Sequence, residues 1–443
     1  MIYSYFLEKF LVPLSDLVLG TCYMKHLRYW RKVCSLSEQQ LADLQSDNLS
    51  KMLTYAVKNV PYYQSKDYVQ AGHEDVYTFL KRFPVLSKRD INHHNNDLIS
   101  RKAKSKIKVF TGGSTGYVGV FYTDKSSVSL VNAIQTVWWE WAGFRLGDRI
   151  IQTGITVNRG VVKYFKDIIL RVTYVSAFNL TDKQIFNILK AKHKSEHVCL
   201  GGYASSLRVF AEVALRHKMD VRFKTAISWG DKLFDSYKTK IGKAFGCQVY
   251  ETYGCSEGIM IGSKKDLDYF YLMTPHVVVE ILDENNEEVP DGKMGYVVLT
   301  CLTNYTMPII RYRVGDLAIK LPRQDYPAKR DFQFPLLKKV IGRNTDVIFT
   351  QSGNFLVVQV VEALFEEVDE ILQFKIIQHT ISQLEVQYVV VEPLDGQLIK
   401  NIDDRLRHSL VDPFEIQWSR VANIPPTPSG KPQFIESRII KVP

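Results

Sequence analysis

Thr111-Gly112-Gly113-Ser114-Thr115-Gly116, preceded by the basic, β-prone run Ser105-Lys106-Ile107-Lys108-Val109-Phe110, is the stretch on which the reading of this chain turns. Glycines at 112, 113 and 116 remove the Cβ atoms that would hold a ligand off the backbone. The hydroxyls of Thr111, Ser114 and Thr115 and the main-chain N–H groups can donate to phosphate oxygens. Tyr117 stands where a Walker loop carries its lysine, and neither G-x-x-x-x-G-K-[ST] nor G-x-G-x-x-G occurs in the chain. The loop reads as a phosphate cradle of neither the GTPase nor the dinucleotide type. A plain turn has the same composition, so the decision rests on the segments downstream.

At 443 residues the chain is long enough for two or three domains, and 46% hydrophobic content supports a sizeable core. Cys22, Cys34, Cys199, Cys247, Cys255 and Cys301 form no C-x-x-C pair. Zinc knuckles and secreted disulfide frameworks are therefore not indicated, and a reducing cytoplasm is expected. The formal net charge of +10 permits polyanion binding, but the basic residues are spread along the chain and no nucleic-acid signature accompanies them. Nucleic acid is thus not an expected partner. The densest cluster, Arg101, Lys102, Lys104, Lys106 and Lys108, reads either as a solvated face or as a positive funnel toward the glycine loop.

Tyr3, Phe6, Leu7, Phe10, Leu11 and Leu14 recur at helical spacing, interrupted by Glu8, Lys9 and Asp16. No uncharged run reaches the roughly 18 residues of a spanning helix. An amphipathic helix packed on the body is expected, with weak peripheral membrane contact as the alternative. Residues 35–63 carry a helix with a capping box at Ser35/Glu38 or Ser37/Gln40, ended by Pro61. The runs Val198–Leu200, Ala226–Ser228 and Gln248–Tyr250 alternate with helical patterns near 203–218 and 233–245, which predicts an α/β body. Residues 277–282 and 295–300 read as a hairpin of a β-rich subdomain. Prolines and charges then accumulate over Leu321 to Lys339, and beyond Asp346 a small α+β unit begins, whose Leu384, Val386, Tyr388 and Val390 alternate cleanly. The expected domains are 1–341, with 1–63 as a helical lead-in, and 342–443.

Tyr253-Gly254-Cys255-Ser256-Glu257-Gly258 admits two readings. In one, Gly254-x-Ser256-x-Gly258 is a hydrolase nucleophile elbow with His276, His379 or His408 as base. No oxyanion segment of H-G-G-G type is present, and the same pattern also occurs at Gly112-x-Ser114-x-Gly116. In the other, Tyr253 offers an aromatic face and Glu257 a hard oxygen ligand for Mg²⁺. Tyr312-Arg313-Val314-Gly315-Asp316 then places a carboxylate at the end of a strand, Gly342-Arg343-Asn344-Thr345-Asp346 lies at the domain junction, and Pro428-Ser429-Gly430-Lys431 puts a lysine on a glycine-flanked loop.

In this order the segments resemble the adenylate-forming (AMP-binding) superfamily. Within it, Leu53–Ala56 with Asn59–Tyr63, Phe83–Lys88, Trp141–Phe144 with Gly147-Asp148, and Phe245–Cys247 resemble the phenylacetate-coenzyme A ligase group and its capsular-polysaccharide (CapK-type) branch. The resemblance implies a large α/β domain with a β-rich portion and a small mobile α+β domain. It implies ATP, Mg²⁺ and coenzyme A, and a carboxylate ligase that forms an acyl-adenylate, releases pyrophosphate and passes the acyl group to coenzyme A, an amine or a carrier. By the same resemblance Thr111, Gly112, Gly113, Ser114, Thr115 and Gly116 hold phosphates; Gly230, Asp231, Tyr253 and Gly254 line the adenine; Asp316 fixes the ribose beside Arg343; Glu257 holds the metal; Asp346 is the hinge; and Lys431 is catalytic. Trp138, Trp139, Trp141 and Tyr203 are candidates for the acyl pocket or the core. The chain departs from the pattern in lacking a lysine after the glycine loop, in carrying Asp231 where relatives often have glutamate, and in following Lys431 with Pro432. A non-catalytic binding protein on the same fold is the remaining alternative.

Overall fold

A computed structural model describes residues 2–64, 68, 74–111, 118–155, 160–178, 180–192, 197–352, 355–366, 368, 370–427 and 432–439. The short apolar runs of the sequence form the parallel half of an eleven-stranded sheet: Val172–Ser176, Arg149–Gly154, Val198–Gly202, Thr225–Ser228 and the start of Val249–Cys255, in that spatial order. All five residues of Val198–Gly202 are buried, as expected of a strand covered on both faces. Helices Ala204–Arg216 and Asp235–Phe245 supply the crossovers.

The sheet then changes character. Residues 249–251 pair parallel with Thr225–Ser228, whereas 252–255 pair antiparallel with Ile259–Ser263. Beyond lie Phe270–Leu272, Leu336–Arg343, Tyr312–Lys320, Met294–Cys301 and Val277–Leu282, all antiparallel. The strand Val249–Cys255 is handed from one half to the other, and a crevice opens beyond the carboxyl ends of the parallel strands. Helix Glu38–Asn59 starts at the Ser37/Gln40 capping box and covers the antiparallel half through Leu49, Met52, Leu53 and Ala56.

Asp316, expected at the end of a strand, lies instead inside Tyr312–Lys320, opposite Arg343. Gly315, at φ +94°, bends the strand, which then resumes through Leu317, Ala318 and Ile319.

After a single 3₁₀ turn at Asn344–Asp346, the chain builds a four-stranded sheet ordered Glu415–Arg420, Gln383–Val390, Ile371–Thr380 and Ile435–Ser437. Helices Val358–Glu366 and Gly396–Leu410 and the hairpin Val347–Phe349/Phe355–Val357 complete the unit. Its buried Val361, Leu364 and Phe365 share one apolar cluster with Phe234, Tyr237 and Ile241 of the body.

The amphipathic lead-in is three consecutive helical pieces: Ile2–Phe6, a π-helical Leu7–Leu11 and Val12–Leu19. Of the apolar residues expected to face the body, Leu7 is buried while Phe6, Phe10 and Leu14 are exposed. The reason lies in its charges: Glu8 is drawn inward by a bidentate pair with Arg31, which fixes which side of the helix meets the body. Among the described residues no helix is long and apolar enough to cross a membrane.

Candidate active site

The crevice at the change of sheet character contains a cavity of about 410 Å³. Its wall brings together Thr111, Gly230, Asp231, Tyr253, Gly254, Glu257, Asp316, Arg343 and Asp346 from segments far apart in sequence. Gly112, Gly113, Ser114, Thr115, Gly116 and Lys431 lie outside the described residues. Described residues that flank them line the cavity: Thr111 precedes the first segment, and Thr427 and Pro432 flank the second.

Thr111 shows how the glycine loop is held. It follows the strand Ile107–Phe110, which pairs antiparallel with Val120–Thr123. Its N–H donates to the Gly119 carbonyl at 3.0 Å, and the Gly119 N–H donates to Thr111 Oγ1 at 2.8 Å. A Cβ on Gly119 would sit 2.8 Å from the Phe121 ring, so the close approach requires glycine.

Glu257 occupies the turn between Val249–Cys255 and Ile259–Ser263 and is buried. The Tyr312 hydroxyl donates to its Oε1 at 2.8 Å. Burial, reinforced by the nearby Glu257 charge, pushes the Cys255 thiol well above its ordinary range. Glu257 forms no salt bridge among the described residues, so it is a buried carboxylate supported by a neutral donor, Tyr312.

Tyr253 donates its hydroxyl to Asp316 Oδ2 at 2.8 Å. Asp316 pairs in register with Arg343 on the neighbouring strand. Asp346 lies close enough to both for their charges to be felt. Burial raises its pKa to about 6, with Arg343 opposing and Asp316 adding to the rise.

Asp231 does more than line the cavity. Its carboxylate accepts from the Ala204 N–H at 2.5 Å, the Ser205 N–H at 3.2 Å and the Ser205 hydroxyl at 2.5 Å. It therefore caps helix Ala204–Arg216 from a loop 27 residues away, satisfying donors that the helix cannot. Gly230 beside it has φ +83°, and a Cβ there would lie 2.5 Å from Tyr203.

Of the four aromatic candidates, Trp138 and Tyr203 line the cavity. Trp139 instead stacks on Trp229, itself a lining residue, and Trp141 stacks on Phe332 in the core. Trp229, which lines the cavity, and Tyr312, which bonds Glu257, are neighbours of the candidate site whose placement the sequence does not single out. The Y-x-x-G-D element contains the signal for Tyr312, since its first residue is the one that reaches Glu257.

Ser256 lines the cavity, but none of His276, His379 and His408, the bases the nucleophile-elbow reading would need, does so. His276 is fully buried; its Nε2 accepts the Met260 N–H at 3.0 Å and its Nδ1 bonds the Thr303 hydroxyl at 2.8 Å. Burial lowers its pKa to about 3. His379 is engaged with Glu385 and Arg438, and His408 lies in the last turn of helix Gly396–Leu410.

Comparison with known proteins agrees with this geometry. Residues 348–438 match the family model described as the CapK C-terminal domain. Over 432 residues the chain is 24% identical to Protein CapK of Staphylococcus aureus, covering 94% of this chain and 93% of that protein. It is 24% identical over 344 residues to a phenylacetate-coenzyme A ligase of Pseudomonas putida, covering 74% and 76%. Among solved structures, 2-hydroxyisobutyryl-CoA ligase in the postadenylation state with 2-HIB-AMP superposes with a TM-score of 0.70 at 17% identity, over 92% of each chain. The chain is thus similar over most of its length to Protein CapK and to a phenylacetate-coenzyme A ligase, matches the CapK C-terminal domain over residues 348–438 and shares its fold with 2-hydroxyisobutyryl-CoA ligase.

Proposed function

We propose that this chain is an AMP-forming ligase that activates a carboxylate and passes the acyl group to a thiol, with coenzyme A as the acceptor. The observation that carries the reading is the convergence of the motif segments on one cavity, at the carboxyl ends of the parallel strands, with the flanks of both the glycine loop and the lysine loop at its rim.

In the first half-reaction a substrate carboxylate oxygen attacks the α-phosphorus of ATP; the new acyl–phosphate bond forms as the bond to the pyrophosphate oxygen breaks. Thr111 to Gly116 would receive the departing phosphates through backbone and hydroxyl donors. Tyr253, Gly230, Asp231 and Gly254 would line the base, and Asp316, braced by the Tyr253 hydroxyl, would take the ribose hydroxyls. Lys431 would sit where charge is redistributed at the α-phosphate.

The donor set fits Mg²⁺. Among the described residues no cluster of three or more metal ligands exists, whereas Glu257 is a buried carboxylate without a salt bridge. Mg²⁺ is commonly held by one or two carboxylates together with substrate phosphates, and when bound it neutralises phosphate charge. Glu257 is the residue that would hold it, kept in place by Tyr312.

In the second half-reaction the thiol sulfur attacks the acyl carbon and AMP leaves. Arg343 to Asp346 is the short link from the eleven-stranded sheet to the C-terminal unit, and reorientation there would withdraw Lys431 and admit the thiol. Trp138 and Tyr203, with Trp229, form an aromatic wall suited to an apolar acyl group. The capsule-branch resemblance supports a role in polysaccharide biosynthesis. All six cysteines are free, which suits a reducing cytoplasm. The test is a carboxylate panel assayed by pyrophosphate release with and without coenzyme A. Release that depends on a carboxylate and is accelerated by coenzyme A is expected; release that no carboxylate stimulates refutes the proposal.

A further inference from the structure

Helix Val161–Ile169 carries apolar residues at Val161, Tyr164, Phe165 and Ile168, the i, i+3, i+4, i+7 stripe that a surface helix ordinarily turns toward the core. Here the stripe faces out: these side chains are 72%, 64%, 60% and 56% exposed. The helical arm of residues 2–19 does the same. Phe6, Phe10, Leu14, Leu17 and Val18 are exposed, following one another at helical spacing, while Leu7 is buried against Gly147.

The two segments are neighbours. The Tyr3 hydroxyl donates to the Ile169 carbonyl at 2.7 Å, and the Arg171 guanidinium stacks on the Tyr3 ring at 3.8 Å. Their charges are sorted. Glu8 is held by Arg31, and Asp16 accepts from the Thr21 hydroxyl and from the N–H groups of Tyr23 and Met24. Asp167 is half-buried. The exposed charged residues of the two segments, Lys9, Lys163 and Lys166, are all basic, as is the exposed Arg171 that joins them.

We propose that residues 2–19 and helix Val161–Ile169 form one face that docks the protein on an anionic lipid surface. The apolar side chains would enter the boundary between headgroups and acyl chains, and the four basic residues would lie at headgroup level. A second copy of the chain fits this face less well. A two-fold contact would bring the same exposed cations together without an exposed acid on either segment to meet them.

Flotation of the full chain with phosphatidylcholine vesicles, with and without phosphatidylglycerol, tests the proposal. The wild type should float with the anionic vesicles, remain behind with the neutral ones and be released by high salt. Leu17→Asp/Phe165→Asp should lower the bound fraction about tenfold, as should Lys163→Glu/Lys166→Glu, which alters only exposed positions and guards against misfolding of the first variant. Both variants should keep the wild-type circular dichroism spectrum and pyrophosphate release, so failure here is distinguishable from failure of the ligase reading. A wild type that floats with neither vesicle overturns the proposal. So does unchanged flotation of both variants, or a concentration-dependent dimer that the same substitutions abolish without any vesicle binding.

Discussion

Tyr312 and Glu257 are 55 residues apart in sequence and joined by a single buried hydrogen bond of 2.8 Å. Tyr312→Phe removes the donor and leaves the Glu257 oxygen unsatisfied, a change typically worth about 1–3 kcal/mol. Carboxylate-dependent ATP–pyrophosphate exchange should therefore fall, with a raised Mg²⁺ requirement. Glu257→Gln should raise that requirement more steeply while metal-free nucleotide binding stays nearly unchanged. A magnesium titration of exchange in the three proteins checks the order, and an unaltered metal dependence in Glu257→Gln removes that residue from the site.

Lys431→Ala should lower exchange by about 10²- to 10³-fold, the typical loss for a preorganised charge-stabilising donor. Ser256→Ala should retain nearly full exchange. A serine hydrolase would show the reverse pattern and need no ATP, and an inert binding protein would show no exchange in any variant.

Asp346→Pro fixes φ at the link from the eleven-stranded sheet to the C-terminal unit and is expected to preserve adenylation or thioester formation, but not both. Separate single-turnover assays of the two half-reactions decide this. Wild-type rates in both would move the hinge elsewhere.

The same residue carries a pH signature. Its pKa rises from 3.8 to about 6 on folding, so between those values the native state binds more protons than the unfolded chain. The stabilising contribution is complete below about pH 4 and is lost as pH rises through about 6. Because Asp346 keeps an intermediate exposure at the cavity wall, the amount is discounted to about 1–2 kcal/mol. Asp346→Asn should flatten this part of the stability profile in nucleotide-free protein, measured by denaturant unfolding across the range.

His276 acts with the opposite sign. Its pKa falls from 6.5 to about 3 on folding, so the unfolded chain takes up a proton that the native state refuses. Stability should drop by up to about 1.4 kcal/mol per pH unit as pH falls below 6.5, ending near pH 3. His276→Gln should be less stable at neutral pH and less sensitive to acid; an identical acid profile would place the proton uptake at another group.

The elements that were legible in the sequence are those whose periodicity is local. The run Val198–Leu200 and the alternating Leu384, Val386, Tyr388 and Val390 stand in strands, and of the two possible capping boxes Ser37/Gln40 is the one that forms. Thr111, Glu257, Asp316 and Asp346 could be picked out as candidates because residue type and order survive without structure, and the fold brings these four to one cavity. What could not be read is what depends on contacts across the fold. Asp231 caps a helix that precedes it, Tyr312 reaches a turn far before it in the chain, and Asp316 continues its strand because Leu336–Arg343 lies alongside. The stripe in Val161–Ile169 is the sharpest case: periodicity identifies an apolar face, but only the packing shows that nothing in the described structure covers it.

The strand Val249–Cys255 leaves one more imprint. Its first three residues belong to the parallel half of the sheet and the remainder to the antiparallel half. The two halves therefore cannot be exchanged between relatives by a crossover inside this strand without setting the pairing of both at once. A shift of one residue there would also invert the faces presented by Tyr253 and Cys255. Chimeras should tolerate breakpoints in the irregular stretch 326–335, which joins Arg323–Asp325 to Leu336–Arg343, and fail at 249–255. For this architecture, the strand that carries the site is also the boundary that recombination must respect.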